Sequence, residues 1–318
     1  MSFIKAIFFI FILAMSINAK NIQPSFEYKA SGGVTDLICK DHILYAATSA
    51  SSVDIFDLEK KEKIDSIKLP KIKDFMGDII DSKVYSIDVL EDKILILSQG
   101  FKGGRALNIF ENGKLKEVLS DKKRMFIAKA RFINKDIVIF ALLSNQVYLY
   151  DINKKETIKQ IHVSYSKFSD FVLDEKKEKI IVADESGNLT MLDTKNLAIL
   201  DTFEKQNLDN VFDVDIKNGM IITAGQDRRS AIYTLDKKTA FYKNADFLVY
   251  SAALSPSNKI AAIAVNENNE VKIFDTHSKA DLHMLLGNPA TLTNILFINE
   301  KEVFVASDHE KINYYKID

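Results

Sequence analysis

The chain has 318 residues, with 43 Lys and Arg against 44 Asp and Glu, so it is close to neutral. Hydrophobic residues make up 47% and charged residues 27%, the balance of a globular protein rather than a disordered one. Near-neutrality argues against a general nucleic-acid binder, which needs a basic surface to displace counterions. The single Cys excludes an intrachain disulfide, an iron–sulfur ligand set and a C-x-x-C-H haem attachment.

The N-terminus is typical of a secretory signal peptide. Lys5 precedes an apolar run from Ala6 to Ile17, and the small residue Ala19 follows. This order of positive charge, apolar run and small residue directs export, and the run is shorter than the about 20 residues that span a bilayer. We therefore predict that residues 1–19 are a cleaved signal peptide and that residues 20–318 form one exported domain. An uncleaved membrane anchor is the alternative.

A short strand-like segment with a charged end recurs along the rest of the chain. The seven copies are residues 53–57, 107–111, 147–151, 189–193, 232–236, 271–275 and 312–316. The steps between their last residues are 54, 40, 42, 43, 39 and 41. Five of these six steps lie within one residue of the spacing of about 40–45 residues that is typical of four-stranded propeller blades.

Each copy is predicted to be the third strand of a four-stranded unit. Period-2 alternation bounded by polar turn residues indicates the strands. The predicted first strands are residues 34–39, 84–90, 128–133, 168–173, 211–216, 250–254 and 292–298. All four prolines fall outside the predicted strand interiors, as expected for a residue without a backbone donor.

The last unit has no room for a fourth strand, because the chain ends at Asp318. An open ring would leave a bare sheet edge that invites aggregation. Residues 26–30 alternate like a strand, and we predict that they supply the missing outer strand. The expected fold is therefore all-β: a seven-bladed β-propeller of four-stranded antiparallel blades, with the last blade closed by an N-terminal strand. Two separate β-sandwich domains are the alternative.

In a propeller, the loops that lead into each blade and the loops that join second to third strands share one face, here called the top face. Two irregularities fall there, an insertion at residues 69–83 and a long loop at residues 99–105. Long loops on a regular scaffold often carry function, although drift without a role is the alternative. The Arg and Lys side chains of these and related loops are suited to contacts with carboxylates of a partner. The alternative is that they are solvated charges without a role. The predicted partner-binding residues are Lys102, Arg105, Arg124, Arg228 and Arg229.

No catalytic, cofactor-binding or metal-binding residues are predicted. The five His residues are scattered without metal-ligand spacing. Gly100-x-x-Gly103-Gly104 matches neither a Walker A nor a dinucleotide fingerprint. Cys39, at the end of a first strand, is interpreted as a small apolar residue rather than a reactive thiol.

The repeats resemble WD-type repeats in degenerate form, with Phe56, Tyr150, Phe274 or Leu192 where the tryptophan is usual. Residues 31–36 (SGGVTD) and 75–88 (FMGDIIDSKVYSID) resemble the NapL family, accessory proteins encoded within some bacterial periplasmic nitrate reductase gene clusters. The resemblance implies a periplasmic, non-catalytic role in assembling, maturing or supporting the nitrate reductase system. It also implies a protein partner, such as a reductase subunit or a cytochrome. The alternative is an exported propeller enzyme, such as a metal-dependent, lactonase-like hydrolase with its site at the central channel.

Overall fold

The computed structural model describes residues 19–317, which form seven blades of at least four strands each around a central channel. The first strand of each blade contacts the first strand of the next, and that of the seventh blade returns to the first. The predicted seven-bladed β-propeller is confirmed. The predicted signal peptide, residues 1–19, lies outside the described residues except for Ala19.

Within each blade the first strand lines the channel and the next strands follow outward in antiparallel order. The first strands are Val34–Lys40, Val84–Leu90, Ile127–Phe132, Phe168–Leu173, Val211–Lys217, Ala252–Leu254 and Leu292–Asn299. The second strands are Ile43–Thr48, Lys93–Gln99, Ile137–Leu142, Lys179–Asp184, Met220–Gly225, Ile260–Ala264 and Glu302–Ser307.

The third strands contain the recurring segments of the sequence. They are Ser52–Asp57, Arg105–Glu111, Gln146–Asp151, Leu189–Asp193, Arg229–Thr234, Val271–Asp275 and Lys311–Lys316. The fourth strands of blades 1 to 6 are Glu62–Lys68, Lys114–Leu119, Glu156–His162, Ile199–Phe203, Ala240–Asn244 and Asp281–Leu285. In blade 5 the third strand ends before the predicted residue 236, because the Thr234 hydroxyl donates to Asp236 and the chain turns there.

The N-terminal segment supplies the fourth strand of blade 7, as predicted. Phe26–Lys29 pairs antiparallel with Lys311–Lys316. The buried Tyr28 ring lies edge-on to Phe56 of blade 1, at 5.5 Å between centroids, and to Phe304 of blade 7, at 5.8 Å. The two ends of the chain therefore meet in the apolar contact between the last blade and the first.

A second N-terminal strand was not predicted. Lys20–Ile22 pairs parallel with Asp281–Leu285 and gives blade 6 a fifth strand. The backbone N–H of Leu286 donates to the carbonyl of Ile22, and that of Ser25 donates to the carbonyl of Tyr314. The segment thus crosses from the edge of blade 6 to the edge of blade 7. Three residues are too few to show an alternation pattern in the sequence.

Burial falls from the middle of each blade toward its outer edge. In blade 3 the second strand, Ile137–Leu142, is buried at every residue but Ile137, whereas Glu156–His162 is almost wholly exposed. Apolar side chains from adjacent blades pack together, as Leu97 of blade 2 does with the cluster that contains Phe132 of blade 3. The hydrophobic core therefore lies between the blades, and each blade is covered by its neighbours.

Three short elements interrupt this regular pattern, and all lie at the top face. They are the hairpin of Ile72–Lys73 with Ile79–Ile80 and the single 3₁₀ turns Phe101–Gly103 and Asp121–Lys123. In the part of the chain that the structure describes, no helix has the length and apolar character needed to cross a membrane.

Removing the Tyr28 ring should open the contact between blades 7 and 1. We expect Tyr28→Ala to lower the free energy of unfolding by about 3–5 kcal/mol, the usual effect of deleting a buried aromatic side chain. Chemical denaturation of the chain of residues 20–318 measures the change. Lys29→Ala, on the exposed side of the same strand, is the control and should change stability by less than about 0.5 kcal/mol. Equal effects of the two substitutions would contradict the role of Tyr28 in joining blade 7 to blade 1.

Candidate functional site

The insertion between blades 1 and 2 is an ordered arm. Its hairpin bends over the carboxylate of Asp74, which accepts the backbone N–H of Met76 at 2.8 Å and of Asp78 at 2.9 Å. Gly77, at the tip, has φ +93°, a conformation that favours glycine. Hydrogen bonds within the arm therefore hold its turn.

The base of the arm is tied to both neighbouring blades. Asp81 accepts a hydrogen bond from the Ser51 hydroxyl at 3.0 Å and forms a salt bridge with Lys71. The Ser51 hydrogen bond and the Lys71 ammonium lower the pKa of the Asp81 carboxyl. The Ser82 hydroxyl donates to the carbonyl of Gln99 in blade 2 at 2.6 Å.

The long loop of blade 2 packs against the segment that leads to blade 3. Asp121 accepts the backbone N–H of Phe101 at 2.7 Å. A Cβ atom at Gly100 would lie 2.3 Å from the Cβ of Asp121, and one at Gly104 would lie 2.8 Å from its backbone oxygen. Glycine at these two positions therefore permits the close approach of the loop and the Asp121 turn.

The arm, the long loop and the Asp121 turn together form a groove of about 470 Å³, here called the blade 2 groove. Phe75, Phe101 and Phe126 line it and expose 75%, 51% and 52% of their surfaces. The Phe75 ring edge lies 3.5 Å from the position of a Cβ on Gly103, so the arm contacts the loop directly. The charged side chains that line the groove are Lys102, Asp121, Lys122 and Arg124.

Two of the five predicted partner-binding residues, Lys102 and Arg124, lie in the blade 2 groove and are exposed. Both adopt positive φ angles, 50° and 52°. The Lys102 ammonium lies 5.2 Å from the centroid of the Phe101 ring, within cation–π range. Lys122, which the sequence analysis did not single out, adds a third exposed cation.

Arg105 faces inward instead. Its Nη1 donates to the carbonyl of Ile127 at 2.7 Å, and its guanidinium lies 3.6 Å from the centroid of the Tyr85 ring. Burial lowers the pKa of this half-buried guanidinium. The contacts of Arg105 therefore join blade 2 to blade 3.

Arg228 and Arg229 lie in blade 5, three blades around the ring from the blade 2 groove. Arg228 is exposed, while Arg229 donates to the carbonyl of Gln206 at 3.2 Å and lies over the Tyr242 ring at 4.3 Å. The structure places both on the top face but does not bring them to the groove.

The three phenylalanines of the groove were missed in the sequence. The sequence feature that could have identified them is the presence of large apolar residues within otherwise polar or glycine-rich loops. Of the large apolar side chains that the described part of the chain exposes, one group lies on the fourth strands and the rest lie in top-face loops. The top-face group is Phe75, Met76, Ile79, Phe101, Phe126, Tyr165 and Leu208. Within residues 19–317, the loops of the opposite face expose none of these large apolar side chains, and exposed apolar patches are typical of interaction sites.

The central channel contains carboxylates that join neighbouring blades. Each accepts a backbone N–H from the first strand of the next blade, at 2.7–3.2 Å. The pairs are Asp36 with Ile87, Asp88 with Phe132, Asp170 with Val214, Asp213 with Ala252 and Asp215 with Leu254. These side chains satisfy buried backbone donors where two blades meet.

Two basic side chains of blade 3 neutralise part of the negative charge of these channel carboxylates. Arg131 forms a salt bridge with Asp36 at 3.0 Å, and Lys129 contacts Asp170 at 2.5 Å. Burial alone would lower the pKa of Arg131, but Asp36 and the other nearby carboxylates raise it above its usual value. Among residues 19–317 no group of three or more His, Cys, Asp or Glu side chains is placed to hold a metal ion.

Cys39 lies outside the channel, packed against the cluster that contains Tyr28. Burial raises the pKa of its thiol to about 11. The thiol is therefore protonated at neutral pH, which agrees with its interpretation as a small apolar residue.

The chain matches no protein-family model and no curated protein sequence. Its class is therefore defined by the fold, a seven-bladed β-propeller whose second blade carries a built groove on the top face.

Asp213 predicts a measurable pH dependence. Burial, and then the negative charge of Asp170, raise the pKa of its carboxyl to about 7. A raised pKa favours the protonated form in the folded protein, so this carboxyl loses its stabilising contribution as pH rises from about 4 through 7. We expect Asp213→Asn, which stays neutral and can still accept from Ala252, to raise Tm by a few °C at pH 8.

The gain should be smaller at pH 5, where the wild-type carboxyl is already protonated. Thermal unfolding of both proteins at the two pH values measures the difference. A difference in Tm that is equal at pH 5 and pH 8 would contradict the assignment.

Proposed function

We propose that this protein is a non-catalytic scaffold that docks a partner protein on its top face. The observation that carries this proposal is the location of the large exposed apolar side chains, which within residues 19–317 and apart from the fourth strands are confined to top-face loops. Five of them belong to the arm and the blade 2 groove: Phe75, Met76, Ile79, Phe101 and Phe126. Propellers present such loops on a rigid ring, which suits protein binding.

We further propose that the protein acts in the periplasm and supports a periplasmic nitrate reductase system. The signal-peptide pattern of residues 1–19 supports export. The resemblance of residues 31–36 and 75–88 to the NapL family supports the particular system. The second of these segments begins at Phe75, a lining residue of the blade 2 groove. The partner proposed is a reductase subunit or a cytochrome.

The alternative function, a propeller enzyme with its site at the central channel, has one observation in its favour. Asp213 lies at the channel mouth with a raised pKa, which is common among catalytic carboxyls. However, its Oδ2 accepts from the Ser251 hydroxyl and the Ala252 N–H, which join blade 5 to blade 6. Metal analysis of the purified protein tests this alternative, because a stoichiometric bound calcium or zinc ion would favour a metal-dependent hydrolase.

The scaffold proposal predicts that partner capture depends on the top face. We expect the double variant Phe101→Ser and Phe126→Ser to lose at least about tenfold in captured partner, since exposed aromatic anchors dominate binding energy. Affinity capture from a nitrate-grown periplasm, quantified by mass spectrometry for the reductase subunits and cytochromes, measures the loss.

The matched control changes Ile64 and Ile158 to Ser. These side chains are about as exposed, at 46% and 48%, but lie on fourth strands. Capture that survives the top-face variant, or that the control reduces equally, would refute top-face docking. Top-face-dependent capture of other proteins, with no reductase component enriched, would refute only the nitrate reductase assignment.

A further inference from the structure

We infer that the blade 2 groove binds a segment of the partner that combines carboxylates with a large apolar anchor. This inference rests on the proposed docking function and adds the chemistry of the docked segment. It draws on the shape, the charge and the internal support of the groove.

The shape of the groove suits an apolar anchor. Its volume of about 470 Å³ lies within the range of ligand pockets, which is roughly 300–1,000 Å³. Phe75, Phe101 and Phe126 come from three separate segments and leave at least half of each side chain exposed. An aromatic or leucine side chain of a partner would bury surface on all three rings at once.

The charge of the groove suits carboxylates. Lys102, Lys122 and Arg124 are all exposed at its lining. The only lining carboxylate among the described residues, Asp121, already accepts the N–H of Phe101. Acidic groups that flank the anchor would therefore meet three cations, and Arg124 can bind a carboxylate with two parallel hydrogen bonds. A basic segment would be repelled.

The groove is preorganised by contacts within the chain itself. Asp121 ties the loop to the turn that leads to blade 3, and Gly100 and Gly104 allow the contact. Ser51 and Ser82 fix the base of the arm. A preorganised site binds a short segment without first ordering its own loops, which lowers the entropic cost of association.

Aromatic side chains among cations also suit an anionic membrane, but the arm argues against that occupant. The hairpin that carries Phe75 and Met76 also carries Asp74 and Asp78, and Asp78 is exposed at its tip. A carboxylate at the tip would be repelled by anionic headgroups. The rings also line a concave groove, whereas insertion into a bilayer requires a protruding surface.

The test selects random 12-residue peptides, displayed on phage, against the mature chain of residues 20–318. Counter-selection uses a triple variant, Lys102→Glu, Lys122→Glu and Arg124→Glu, whose exposed positions tolerate the change. We expect the surviving peptides to combine Asp or Glu with Phe, Trp or Leu. A selected peptide should bind the triple variant and the Phe101→Ser variant at least about tenfold more weakly than wild type. Its affinity for wild type should also fall as salt is added.

The matched control reverses three exposed lysines of the opposite face, through Lys176→Glu, Lys195→Glu and Lys301→Glu. It makes the same change in net charge and should leave the affinity of the peptide unchanged. Circular dichroism and thermal unfolding are used to check that both triple variants are folded.

Three outcomes would overturn the inference. Selected peptides that are basic, selected peptides that bind the groove variant as well as wild type, or no enrichment at all would show that the groove does not recognise acidic segments. Co-sedimentation with phosphatidylglycerol vesicles that only the groove variant loses would instead assign the surface to a membrane. Each of these results concerns only the chemistry that the groove recognises. The affinity-capture experiment tests docking on the top face separately.

Discussion

The whole structure depends on the burial of each blade against the next. A blade whose strands are apolar on both faces, such as Ile137–Leu142 of blade 3, needs a covering sheet on either side. Only a closed ring gives every blade two neighbours. The last of these contacts is made by Phe26–Lys29, which inserts Tyr28 between Phe56 and Phe304. The closed ring in turn provides the rigid base on which the top-face loops are held.

Closure also explains the polar lining of the channel. Where first strands converge, backbone N–H groups of one blade face the preceding blade, and Asp36, Asp88 and Asp213 accept them. Arg131 then balances part of the negative charge. These carboxylates therefore have a structural use that is independent of catalysis. The irregular features of the chain lie elsewhere, in the arm and the long loop of blade 2.

The candidate site could be predicted only in part. Loop length pointed to the insertion and to the loop that contains Lys102, and both lie at the groove. The orientation of an arginine could not be predicted, because a guanidinium in a loop can face solvent or, like Arg105, turn onto a ring and a carbonyl of its own chain. The proximity of Phe75 and Phe126 in the groove could not be predicted either, because about fifty residues separate them along the chain.

The sequence by itself determined the number of blades, the strand order and the closure by residues 26–30. Those features follow from period-2 alternation and a repeat near 40 residues, both of which are local patterns along the chain. Only the tertiary structure decided that Lys20–Ile22 joins blade 6 and that three phenylalanines line one groove. Both depend on contacts between segments far apart in sequence. The free edge of a sheet or a gap lined by glycines determines which segments meet, and no local sequence pattern indicates that contact.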